Sequence, residues 1–169
     1  SYLRRPEIAQ RMRIDVNKLS LLGHSMGGFA ALSAGHLDSK LVCVGAMAPA
    51  NFAVYVAAIN AKDPGVEGFI TYIDSIFVLD DFSGNTMVEQ LTSVPIEALD
   101  TTKFGPGLHG KSVFMVIGDK DNVTTAEAMF DPVVNAYSEL EGFRLQHLKI
   151  PGDHSFSWSR IKLADVLVD

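Results

Sequence analysis

The chain is poor in three things: cysteine, clustered basic charge and long apolar runs. Cys43 is the single cysteine among 169 residues, which excludes an intrachain disulfide framework and a cysteine-rich metal site. A cytoplasmic or other disulfide-independent setting is the expectation. Lys and Arg number 14 against 20 Asp and Glu, a net charge of −6, with no basic cluster to meet a phosphate backbone, so nucleic acid is excluded as a partner. No apolar run approaches the roughly 18–20 residues of a membrane span, and no membrane partner is expected. Ser1-Tyr2-Leu3-Arg4-Arg5-Pro6 offers neither an initiator Met nor an apolar signal core, the look of a processed product or a piece of a longer chain. What is present is 47% hydrophobic with ten Phe, enough to bury the core of one globular domain.

Short apolar runs alternate with helix-period segments, the pattern of parallel βαβ units. Leu19–Gly23, Leu41–Met47, Ser112–Ile117 and Phe143–Ile150 read as strands, the second stopped by Pro49 and the third by Gly118-Asp119-Lys120-Asp121. Residues 6–13 read as a helix. Met26–Leu37, rich in Gly and Ala, reads as a helix lying close on a sheet, and Thr125–Leu140 as a helix despite Pro132. In the tail, Ile161, Ala164, Val166 and Leu167 fall at helical spacing, which predicts a helix docked on the sheet. The expected fold is α/β, three layers (α/β/α) about a mostly parallel sheet, with residues 1–169 as one domain. Residues 51–110 are too many for a plain crossover and read as a partly helical insertion or cap. Its aromatics, Phe52, Tyr55, Phe69, Tyr72, Phe77 and Phe82, either line a site or fill the insertion's own small core.

The segment Leu21-Leu22-Gly23-His24-Ser25-Met26-Gly27-Gly28 sets G-x-S-x-G where a strand should pass into a helix. Such an elbow holds the serine in a strained turn, and glycines beside it let neighbouring backbone approach without a Cβ clash. The following helix aims its N-terminal N–H groups at the place where an oxyanion would form. The bland alternative is a tight turn whose serine caps that helix. A serine hydroxyl needs a base, and the base needs an orienting acid. Candidates follow in that chain order: Asp121, with Asp119 as its rival, after the third strand, and His154 in Gly152-Asp153-His154-Ser155-Phe156 after the fourth. All would leave the C-terminal edge of one parallel sheet, where open α/β sheets place their sites. Asp153 reads as a loop former and His24 as packed under the turn. His36, His109 and His147 read as surface or structural residues, and no pair has metal-ligand spacing. Cys43 reads as an inert core residue. Phe156 and Trp158 either wall a pocket or pack the core.

Gly-His-Ser-Met-Gly-Gly-Phe, Gly-Asp-Lys-Asp and Gly-Asp-His-Ser-Phe together resemble the nucleophile, acid and base segments of α/β-hydrolases, from about Pro6 to the end of the chain. They are most similar to esterase, dienelactone-hydrolase-like and prolyl-oligopeptidase-like members. The resemblance implies Ser25 as nucleophile, His154 as general base, Asp121 as its orienter and Met26 as donor of one oxyanion-hole N–H. It implies a serine hydrolase that cleaves a small-molecule ester or acyl substrate through an acyl-enzyme, with no metal and no organic cofactor. A peptidase of prolyl-oligopeptidase type and a non-catalytic fragment or binding module are the alternatives. That family carries further strands ahead of the elbow, and a loop among them gives the second oxyanion donor. With Ser25 so near the first residue, the strand at Leu19–Gly23 should be an open edge, covered by a further N-terminal segment or by a second copy of the chain. One missing donor costs on the order of 100- to 1,000-fold in rate, so weak turnover of this chain alone is the expectation.

Overall fold

Among the described residues, four strands form one all-parallel sheet in the order β1-β2-β3-β4, matching their order in the chain. The computed structural model describes residues 2–76 and 80–168, so Phe77 lies outside the described residues. After a short 3-10 turn, α1 (Pro6–Met12) starts on a proline, whose missing N–H costs nothing in a first turn. β1 (Ser20–His24) leads through Ser25 into α2 (Met26–Leu37), and β2 (Cys43–Met47) follows. The insertion then supplies α3 (Phe52–Asn60), α4 (Val66–Asp74), α5 (Gly84–Thr92) and the single turn α6 (Gly105–Leu108). β3 (Ser112–Gly118), α7 (Asp131–Ser138), β4 (Arg144–Ile150) and α8 (Arg160–Val168) complete the chain. No helix among the described residues is long and apolar enough to cross a membrane.

Strand alternation divides the residues between two faces. Leu21, Val44, Val113 and Leu145 stand in register on one face. That face packs against α2, α6 and α7, in a core holding Leu32, Leu108, Phe130, Val133 and Tyr137. α2 lies so close that a Cβ on Gly35 would stand 2.5 Å from Val44 Cγ2. On the other face, the row Leu22, Gly45, Phe114 and Gln146 is covered thinly, Val166 and Leu167 of α8 bordering it. Leu22 is accordingly 56% exposed. Cys43 belongs to this thin side and is half-buried, which corrects its reading as a core residue.

Two helices depart from the sequence reading. Thr125–Leu140 is not one α-helix: a wide π-type turn, Ala126–Phe130, precedes α7, and Pro132 sits in the first turn of α7. Proline cannot give the N–H that a helix interior requires, so the α-helix begins where Pro132 can stand. In α8 the helical spacing is present, but Ile161 is 83% exposed and Ala164 is exposed too. The inward side is Leu163, Val166 and Leu167, because one short helix carries more apolar residues than its contact stripe can bury. In the insertion, α3, α4 and α5 enclose a second core of Phe52, Val56, Phe69, Ile73, Met87, Leu91 and Leu99. Phe104 and Leu108 belong instead to the main core.

Candidate active site

The carboxyl ends of the parallel strands bring the three sequence-nominated residues together. Ser25 follows β1 directly and holds φ 57°, ψ −119°, a strained conformation for a residue with a side chain. The turn closes so tightly that a Cβ on Gly23 would lie 1.9 Å from the carbonyl oxygen of Gly27. Gly28 is close against Pro49, whereas a Cβ on Gly27 would meet nothing within 4 Å. Close backbone approach therefore explains Gly23 and Gly28 but not Gly27. Ser25 makes no side-chain capping bond to α2. Its Oγ lies 2.9 Å from His154 Nε2, and His154 Nδ1 lies 2.9 Å from Asp121 Oδ2. The geometry has Ser25 O–H donating to Nε2 and Nδ1–H donating to the carboxylate.

The rival acid has another occupation. Asp119 accepts the Gly152 N–H on Oδ1 at 3.0 Å, bracing the end of β3 against the loop after β4. Asp153 accepts the N–H and hydroxyl of Ser157, which holds the His154 loop in shape. His24 does more than pack: its Nε2–H donates to the His154 carbonyl oxygen at 2.7 Å. His24, the residue before Ser25, thus fixes the backbone at His154.

Thr124 is the participant that sequence reasoning missed. Its hydroxyl donates to Asp121 Oδ2 at 2.8 Å and also lies 3.1 Å from the Ala48 carbonyl oxygen and 3.2 Å from His154 Nδ1. The backbone N–H groups of Val123 and Thr124 both donate to Asp121 Oδ1, at 2.8 and 2.9 Å. Asp-x-x-Thr is a spacing at which side chains and nearby N–H groups commonly pair, and it was the available signal. Burial alone would raise the Asp121 pKa. The hydrogen bond from His154, those from the two N–H groups and the Thr124 hydroxyl outweigh it and hold the carboxyl below its ordinary range.

Met26 opens α2, and its N–H donates to no acceptor among the described residues, so it is available beside Ser25. A narrow slot of about 60 Å3 opens at Ser25, walled by Phe52, Tyr55, Phe69, Ile73 and Met87. The insertion's aromatics therefore serve both as wall and as core. Tyr55 stacks on Phe69 at 4.1 Å and donates its hydroxyl to the Val123 carbonyl oxygen at 3.1 Å, tying α3 to the acid loop. Burial, with smaller contributions from Tyr72 and Asp121, pushes its pKa up to about 12, so this donor keeps its proton. Phe156 lies in the main core and Trp158 is 60% exposed; neither lines the slot. No group of three His, Cys, Asp or Glu able to hold a metal occurs among the described residues.

No protein-family model and no curated protein matches the chain. Solved structures do. The chain is similar to Est1E from Butyrivibrio proteoclasticus at 18% identity and TM-score 0.62, covering 95% of this chain and 63% of that one. It is similar to the S-formylglutathione hydrolase FrmB from Staphylococcus aureus at 13% identity and TM-score 0.65, covering 96% and 59%. An acylaminoacyl peptidase from Pyrococcus horikoshii matches at 10% identity and TM-score 0.67, over 96% of this chain and 25% of that chain. The chain thus spans less than two thirds of the length of these structures. The fold is that of the α/β-hydrolases, three-layered about a parallel sheet.

Proposed function

We propose that the chain is a serine hydrolase that cleaves a carboxylic ester through an acyl-enzyme. The observation that carries this reading is the hydrogen-bonded line Ser25–His154–Asp121 at the carboxyl ends of β1, β4 and β3, with Ser25 in a positive-φ elbow. In the first step Ser25 Oγ bonds to the ester carbonyl carbon as its proton passes to His154 Nε2. The carbonyl oxygen takes the electron pair and is stabilised by the Met26 N–H and the start of α2. As the C–O bond to the alcohol breaks, Nε2–H gives its proton to the departing oxygen. Water then adds to the acyl carbon, losing its proton to Nε2, and Ser25 leaves with that proton. Asp121 stays ionised throughout, holding Nδ1–H and stabilising the imidazolium.

A fluorophosphonate probe is expected to label Ser25, read by peptide mass spectrometry, and hydrolysis of p-nitrophenyl esters is expected to vanish in Ser25→Ala. Labelling at another residue would overturn the assignment. Esters and aminoacyl amides assayed side by side separate an esterase from a peptidase of prolyl-oligopeptidase type. A folded chain that the probe leaves unlabelled would instead be a non-catalytic binding module. The reading includes a cover for the outer edge of β1, which among the described residues pairs only with β2, by a further segment or a second copy. Sedimentation across a concentration series tests the second copy.

A further inference from the structure

Beside the slot at Ser25 lies a wider groove of about 570 Å3, bordered by Phe29, Phe82, Leu91 and Leu99. Met26, Phe52 and Met87 belong to both, so these three side chains stand between the two spaces. The spaces differ in capacity. The slot offers about 60 Å3 and the groove about 570 Å3. The slot is also stiff. Phe52, Phe69, Ile73 and Met87 are buried members of the insertion's own core, and Tyr55 is held by its stacking and its bond to Val123. Widening it means unpacking that core. Among the described residues no Lys, Arg or His lines either space, and Asp80, at the groove, is the one charged residue. An anionic group placed there would lose water and gain no cation.

We propose that the substrate is a neutral ester with two unequal apolar limbs, a short one seated in the slot at Ser25 and a longer one in the groove, with Met87 the partition that limits the short limb. This rests on Ser25 being the nucleophile, as proposed above. The test uses two series of neutral esters, one varying the acyl chain from two to twelve carbons and one varying the alcohol likewise. In one series kcat/KM is expected to fall at least about tenfold at some length short of eight carbons. In the other it should keep rising through eight carbons, by up to about fourfold per buried methylene. A cutoff in both series, or in neither, overturns the proposal. Met87→Ala should move the cutoff to longer chains while Met87→Leu keeps it; if Met87→Ala does not fold, Met87→Val serves, and an unmoved cutoff removes Met87 from the role. A succinate half-ester should react at least about tenfold more slowly than the neutral ester of equal length, and equal rates would show that the site is not selective for neutral limbs.

Ligand-observed NMR with Ser25→Ala separates this proposal from the hydrolase reading. A length cutoff in binding, with no hydrolysis by the unaltered chain, would sink the hydrolase reading and keep the two-limb site. Hydrolysis abolished by Ser25→Ala but lacking any cutoff would do the reverse.

Discussion

At the scale of single residues, the site depends on where one carboxylate finds its donors. Asp121 receives two backbone N–H groups, the Thr124 hydroxyl and His154 Nδ1–H, while its side chain is fully buried. Removing the carboxylate's charge in Asp121→Asn should lower kcat on the order of 10,000-fold, as expected when the base loses its oriented tautomer. Thr124→Val should cost far less, about 10-fold, and Thr124→Ser should restore most of it. Steady-state kinetics on one ester separates the three. Because the folded Asp121 pKa lies below the unfolded one, its contribution to stability is present above the ordinary carboxylate range and is lost as pH falls below about 4. The urea midpoint should therefore hold from neutral pH down to about 4 and then drop, with a shallower drop in Asp121→Asn. Asp119, two residues away, carries the same charge and has no such role, since its carboxylate is spent on Gly152 N–H.

At the scale of elements, the elbow between β1 and α2 distinguishes two glycines that look alike in the sequence. Gly23→Ala would drive a Cβ into the Gly27 carbonyl at 1.9 Å and is expected to prevent folding, read as loss of the cooperative thermal transition. Gly27→Ala meets open space in a helical position and should leave stability unchanged or raise it by up to about 1 kcal/mol. Equal damage from both substitutions would contradict the close approach at Gly23 and the open space at Gly27. The strand-helix-strand order was legible from apolar runs and from Gly and Pro at their ends. What was not legible was the stripe of α8 that turns inward, because Ile161 and Leu163 are equally apolar and only the neighbouring sheet distinguishes them. Nor was the break before α7 legible: Pro132 was visible, but a proline is tolerated in a first turn and excluded from an interior, and the sequence does not say where the first turn falls.

At the scale of the molecule, two cores meet along the insertion, and Tyr137 helps to tie them. Its ring is fully buried in the main core, and its hydroxyl donates to the Thr101 carbonyl oxygen at 2.7 Å. Burial first, then Asp100, raises its pKa, so the donor stays protonated. Tyr137→Phe should lower stability by about 1 kcal/mol, measured by urea unfolding, since among the described residues Thr101 O retains only the N–H of Phe104. The sheet is covered unevenly, with thick packing on the side of α2 and α7 and exposed Leu22 and Leu148 on the other.

The sequence by itself determined the α/β class, the parallel order of strands and helices, and the residues able to supply a nucleophile, a base and an acid in that family's chain order. These follow from local facts: apolar periodicity, turn residues and the few side chains whose chemistry suits the task. Tertiary structure alone decided that Asp121 and not Asp119 meets His154, that His24 holds the backbone at His154, and that Met87 stands between a slot and a groove. Each depends on which atoms from distant segments come within 3 Å or share a wall, and short-range pattern carries no distance across the fold.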